Sequence, residues 1–139
     1  MYTDSHAHLD GKRFSADRPE VFTRAKAAGV TNILAIGNGD GPGTGTLDCA
    51  VQLAMQHSGV YATVGIHPHE AALAKQEDFD QLQQLARHPK VIAWGEIGLD
   101  FHYNHSEPDV QRRVFRRQLD IARELDLPVG ADPDRRADR

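Results

Sequence analysis

Cysteine is almost missing from this chain of 139 residues, and the single Cys49 excludes an internal disulfide and any zinc site built on cysteine pairs. Long apolar runs are missing as well, none approaching the ~20 residues needed to cross a bilayer. Nor is there an excess of positive charge: 16 Lys and Arg stand against 20 Asp and Glu, a formal charge of −4. That excludes a broadly basic protein that coats nucleic acid and leaves room only for a local basic patch. The start, Met1-Tyr2-Thr3-Asp4-Ser5-His6, is polar at once and does not read as a secretory signal. At 40% hydrophobic and 26% charged, the composition is that of an ordinary globular domain with one core. The expectation is a soluble domain of a reducing compartment, the cytoplasm, with no membrane partner. Against these absences stand eight histidines.

Dense β-branched and apolar segments of strand length occur at Met1–His6, Val30–Ile36, Val60–Ile66 and Val91–Ile97. The last three are apolar on both faces, as strands of a parallel sheet covered by helices are. Helical stretches lie between them. Asp17 is placed to cap a helix opening Arg18-Pro19 and ended by Gly29, and Thr46 to cap one running towards Gly59. A third is expected over about Asp78–Arg87, stopped by Pro89. The fourth, Pro108–Leu125, is amphipathic: Phe115, Leu119 and Ala122 form one row and Val114, Ile121 and Leu125 the next, against an arginine-rich face read as solvated. Pro128-Val129 opens a fifth strand. Openings at Val30, Val60, Val91 and Val129 are 30, 31 and 38 residues apart, a repeated βα unit with right-handed crossovers. A small doubly wound sheet and part of a (β/α)₈ barrel both satisfy this order. A whole barrel needs ~250 residues, so the chain has room for about half.

Chemistry collects at the strand ends. In Asp4-Ser5-His6-Ala7-His8, residues two apart share a face, so His6 and His8 project together with Asp4 one step deeper. Two imidazoles so placed suit a divalent metal, with the carboxylate orienting a ring nitrogen; alone, the pair reads first as an exposed strand end. Glu96 follows an apolar strand between glycines, where a carboxylate needs a metal or a basic partner. Asp100, four residues on, could instead be a helix cap. Another buried strand runs into Ile66-His67-Pro68-His69-Glu70. Three strands thus deliver His or Glu to what a parallel α/β fold makes a single rim, the usual place for an active site. The coincidence points to a metal-dependent hydrolytic site. The glycine-rich stretch Gly37–Thr46 matches neither GxGxxG nor a P-loop and is read as a flexible loop at that rim. Asn104-His105-Ser106 has sequon form without a secretory context, and Cys49 reads as packing.

These residues resemble the TatD family of metal-dependent deoxyribonucleases, amidohydrolase-like TIM barrels. The resemblance rests on Asp4–Leu9, Val64–His69, Gly95–Phe101 and the pattern from Gln111 to Val129, covering about residues 1–129. It implies an α/β fold, the N-terminal half of a (β/α)₈ barrel with about four βα units and the start of a fifth strand. It implies His6 and His8 as ligands of one metal and Glu96 as a carboxylate bridging two divalent ions, Mg, Mn or Zn. Glu96, His67 and Asp100 would be the catalytic set, His67 and His69 would face substrate, and Asp4 would support the ligands. The implied reaction is hydrolysis of DNA phosphodiester bonds, with DNA or an oligonucleotide as a weak, transient partner. An amidohydrolase or phosphotriesterase acting on a small substrate, and a non-catalytic metal-binding remnant, are the other readings.

The family pattern lapses after Val129. There, residues 130–139 are Asp- and Arg-rich, no histidine follows His105, and the family's later histidine and aspartate ligands are missing. The expectation is a frameshifted or truncated product, weakly active or inactive. Half a barrel would leave two sheet edges unpaired, predicting self-association through them.

Overall fold

The structure is a computed structural model that describes residues 1–132. Residues 133–139, most of the off-pattern tail, lie outside the described residues. Strand and helix alternate: β1 (Tyr2–Ala7), α1 (Arg18–Ala27), β2 (Val30–Ala35), α2 (Cys49–Gln56), β3 (Val60–Val64), α3 (Gln76–Leu85), β4 (Val91–Gly98), α4 (Pro108–Glu124) and β5 (Val129–Asp132). Short 3-10 turns cover Lys12–Phe14 and Pro68–Leu73.

All neighbouring strands are parallel, in the order β1-β2-β3-β4-β5. That order decides between the two architectures left open by the sequence. A doubly wound sheet reverses strand order at a switch point. Here it never reverses, so right-handed crossovers carry every helix to the same side. The result is a half-barrel of βα units, with all strand C-termini on one rim.

The core joins strand residues Ile33, Ala35, Val60, Ala62, Val64, Trp94 and Ile97 to Val51, Leu53, Phe79, Leu82, Val114 and Ile121 of the helices, all buried. Trp94 and Ile97 are fully excluded from solvent. At about 25 cal/mol per Å² of apolar surface, burial of this set is the main force holding helices to sheet.

Several boundaries differ from expectation for physical reasons. Asp17 stands at the start of α1, but its carboxylate makes no capping bond and instead pairs with Arg24 at 3.4 Å. Thr46 does not cap α2. Its hydroxyl accepts the Asp40 N–H at 2.6 Å and meets Thr44 Oγ1 at 2.7 Å, so the helix starts three residues later behind Asp48. It also stops before Gly59, because His57 is extended and its carbonyl accepts the Val60 N–H. Asp78 lies inside α3, where its carboxylate reaches back to the Lys75 N–H at 2.8 Å and caps the first turn. In α4 the buried face comprises Gln111, Val114, Gln118, Ile121 and Ala122, whereas Leu119 is 37% exposed.

Candidate metal centre at the strand ends

β1 ends in a pair of imidazoles on one face, His6 Nε2 and His8 Nε2, 3.1 Å apart. Across the rim, β4 presents the Glu96 carboxylate. Its Oε1 lies 3.7 Å from His6 Nε2 and its Oε2 lies 3.8 Å from His8 Nε2. One ligand atom from each of the three falls within 4.8 Å of the others. One residue of β1, one just past its end and one from a strand three places away have met at a point.

The donor set fits a divalent ion. Ligands at about 2.1 Å from a metal are about 3.0 Å apart at right angles and about 3.4 Å apart at tetrahedral angles. The imidazole pair already has that spacing, and the carboxylate is a few tenths of an ångström wide of it. Glu96 is 16% exposed, and among the described residues its side-chain contacts are His6, His8 and Asn38. No lysine or arginine neutralises it there, so the basic partner considered from sequence is not what it meets.

Asp4, expected to orient a ring nitrogen, instead accepts the backbone N–H of His6 on Oδ1 at 3.1 Å. It holds the strand end, not an imidazole. The turn after His8 is held by Arg18, whose guanidinium donates to the carbonyls of Leu9 (2.7 Å), Asp10 (3.1 Å) and Gly11 (3.2 Å). Within that turn burial pushes the Asp10 carboxyl up, against its own backbone hydrogen bond and the positive charge of Arg18.

His67, His69 and Asp100 form a second group on the same rim. His69 Nε2 meets Asp100 Oδ2 at 2.5 Å, and Asp100 Oδ1 accepts the N–H groups of His102 (2.8 Å) and Tyr103 (3.0 Å). Burial pushes the Asp100 carboxyl up, but the His69 bond and the two backbone donors outweigh it and hold the pKa at about 2. His67 Nδ1 accepts the His69 N–H at 3.2 Å and lies 3.6 Å from Glu70 Oε2. The rings of His67 and His105 approach His69 edge-on, with centroids 4.4 and 4.5 Å away. Ser106, read from sequence only as part of a sequon, is buried. It donates to the His69 carbonyl at 2.9 Å and accepts the Ala72 N–H at 3.0 Å.

Three residues given no individual role in the sequence reading secure this rim. Gln118 accepts the Ile66 N–H (2.7 Å) and the Trp94 indole N–H (3.1 Å) on Oε1 and donates to the Ile66 carbonyl (3.0 Å). Gln111 accepts the Asp100 N–H (2.8 Å) and donates to the carbonyls of Asp100 (2.9 Å) and Ser106 (2.6 Å). Asn38, in the glycine-rich stretch, reaches Glu96. That stretch is pinned rather than loose, since Gly43 also donates to Asp78 Oδ1 at 3.3 Å.

Known proteins share this arrangement of strands. The family model of TatD-related DNases matches residues 3–130. The chain is 39% identical over 129 residues to the metal-dependent hydrolase YabD of Bacillus subtilis, covering 93% of this chain and 49% of that protein. It is 40% identical over 126 residues to a protein named 3′-5′ ssDNA/RNA exonuclease TatD of Citrobacter koseri, covering 91% and 47%. The crystal structure of the TatD homologue YJJV from Escherichia coli superposes with a TM-score of 0.86 at 32% identity, over 99% of this chain and 52% of that one. The chain therefore spans about half the length of the curated relatives it matches. With the family pattern running from residue 3 to 130 and the same half-barrel beneath it, the chain belongs to the family of TatD-related DNases.

Proposed function

We propose that this chain carries part of a metal-dependent phosphodiesterase site acting on single-stranded DNA or oligonucleotide ends. The convergence of His6, His8 and Glu96 within 4.8 Å is the observation that carries this reading. His6 and His8 would hold one divalent ion, Mg, Mn or Zn, through Nε2. Glu96, with one oxygen towards each histidine, is suited to share its carboxylate with a second. When bound, such ions supply Lewis acidity towards a phosphoryl oxygen and towards water.

The chain's own groups do the rest. Asp100, ionised down to about pH 2, holds the His69 ring through Nε2 and fixes which edge of the ring it turns to substrate. Asp100 acts through His69, and His67 is assigned to the substrate side beside it. Long-range attraction to DNA is feeble at a formal charge of −4, so short strands entering the rim fit better than tight duplex binding. No helix among the described residues is long and apolar enough to cross a membrane. We place the protein in the cytoplasm and expect copies to associate through β1 and β5, each of which pairs on one side only in the described sheet.

The test is incubation of the purified chain with Mn²⁺ or Mg²⁺ and an end-labelled single-stranded oligonucleotide. Metal-dependent shortening should occur and be lost in His6→Ala and Glu96→Ala. Equal activity in wild type and Glu96→Ala would sink the proposal. Cleavage of a small ester with no attack on the oligonucleotide would move the reading to a small-substrate hydrolase.

A further inference from the structure

Glu96 is held from two sides by a single side chain. Asn38 Oδ1 accepts the Glu96 backbone N–H at 3.2 Å, and Asn38 Nδ2 donates to Glu96 Oε2 at 3.2 Å. The two residues are 58 apart in sequence and come from the ends of β2 and β4. One carboxamide thus closes a ring through both the main chain and the carboxylate of the same residue.

The backbone around Asn38 is built to bring it there. Gly37 donates its N–H to Thr63 Oγ1 at 3.1 Å, and a Cβ on Gly37 would stand 2.1 Å from the Thr63 carbonyl oxygen. Gly39 has φ +58°, and a Cβ there would stand 2.4 Å from both oxygens of Thr46. Only glycine tolerates either place, so the chain passes tightly against β3 on one side of Asn38 and against Thr46 on the other. The position of Asn38 is therefore set by the main chain before its side chain forms any bond.

We propose that Asn38 is a positioning residue that aims Glu96 at the divalent ion, an inference that rests on the metal reading above. Two chemical facts favour an amide in this role. It offers a donor and an acceptor in one rigid plane, which is what simultaneous contact with an N–H and a carboxylate requires. It is also neutral. A lysine or arginine in its place would fix the carboxylate but compete with the ion for its charge. With Oε2 tied to Asn38, the carboxylate plane cannot rotate, and Oε1 and Oε2 stay turned to His6 and His8. Partners that orient a ligating carboxylate in this way typically account for 10–100-fold in metal affinity.

The test is calorimetric titration of Zn²⁺ and Mn²⁺ into four forms of the chain: wild type, Asn38→Ala, Glu96→Ala and the double variant. Asn38→Leu, of similar shape but without hydrogen-bonding groups, and His6→Ala are added, and melting in EDTA checks that each form folds. The expected result is a 10–100-fold loss of affinity in Asn38→Ala and Asn38→Leu. Once Glu96 is gone, Asn38→Ala should have no further effect, because it acts only through that carboxylate. Unchanged affinity in a folded Asn38→Leu, or the same loss with and without Glu96, would overturn the proposal and leave the metal reading standing. A wild-type chain that binds neither ion, or binds them as well after His6→Ala, would overturn the metal reading and this inference with it.

Discussion

β1 and β4 bring the proposed ligand atoms to the same cluster from opposite surroundings. Among the described residues β1 pairs with β2 alone, its residues Tyr2–His6 are all exposed, and the adjoining α1 buries none of its residues. β4 lies between β3 and β5, with Val91, Ala93, Trp94, Gly95, Ile97 and Gly98 buried. The Glu96 side is further tied to α4 through Gln111 and Gln118 and to β2 through Asn38. The difference teaches that the carboxylate is fixed by the fold, whereas the histidines are set by a strand with one neighbour and by the Arg18 clamp on the turn that follows. A ligand strand so lightly packed gains more from a bound ion than the buried strand does.

The sharpest way to break this contrast is to loosen the buried side. Gln118→Leu fills a similar volume but strands three buried polar groups, the Ile66 N–H, the Ile66 carbonyl and the Trp94 indole. At about 1–3 kcal/mol for each unpaired group, without full additivity, the expected loss is roughly 3–5 kcal/mol in denaturant unfolding. His6→Ala, at a side chain 53% exposed, should change metal-free stability by under ~0.5 kcal/mol. Equal losses in the two variants would mean that β1 is as integral to the fold as β4.

The same pair of regions explains what could be read from sequence. β2, β3 and β4 were legible because dense β-branched and apolar segments of strand length leave little else to choose, and observed boundaries fall within two residues of those expected. The proposed ligand trio was legible because each member lies at or just past the C-terminal end of its strand, so a parallel sheet alone brings the three to one rim. The supports were not. Gln111 and Gln118 occupy the buried face of α4 seven residues apart, yet a hydropathy pattern scores glutamine as surface and passes the buried face to Phe115 and Leu119 instead. Asn38 was invisible for another reason: its partner is 58 residues away, and no local spacing predicts such a contact. Asp4 misled because strand alternation gives the direction of a side chain but not the competition of a nearby backbone N–H.

Acid should separate the regions more gently. The Asp100 carboxyl sits at about 2, below its ordinary 3.8, so the unfolded chain binds its proton more readily. Its contribution is complete above about pH 4 and is lost as pH falls towards 2, on the order of 1 kcal/mol. Asp100→Asn should flatten that part of the stability–pH curve for the β4 side. An unchanged acid limb in Asp100→Asn would show that His69 does not hold the carboxylate in solution.

The same contrast extends to the helix starts, where the exposed member has the smallest effect. Asp78 on the buried side is 8% exposed and binds two backbone donors, Lys75 N–H at the start of α3 and Gly43 N–H in the loop that carries Asn38. Asp17 on the exposed side stands at the equivalent end of α1 but, among the described residues, its side chain reaches the Arg24 guanidinium and no helix N–H, with 51% of it exposed. A cap that satisfies orphan helix N–H groups is worth about 0.5–2 kcal/mol, whereas an exposed ion pair is worth about 0–1 kcal/mol and is screened by salt. Asp78→Ala should therefore cost about 1–2 kcal/mol, insensitive to salt. Asp17→Ala should cost under ~0.5 kcal/mol, and that small effect should vanish at 1 M NaCl. Were Asp17→Ala the costlier of the two, its carboxylate would be capping α1 in solution after all, and the first βα unit would be better secured than its exposure implies.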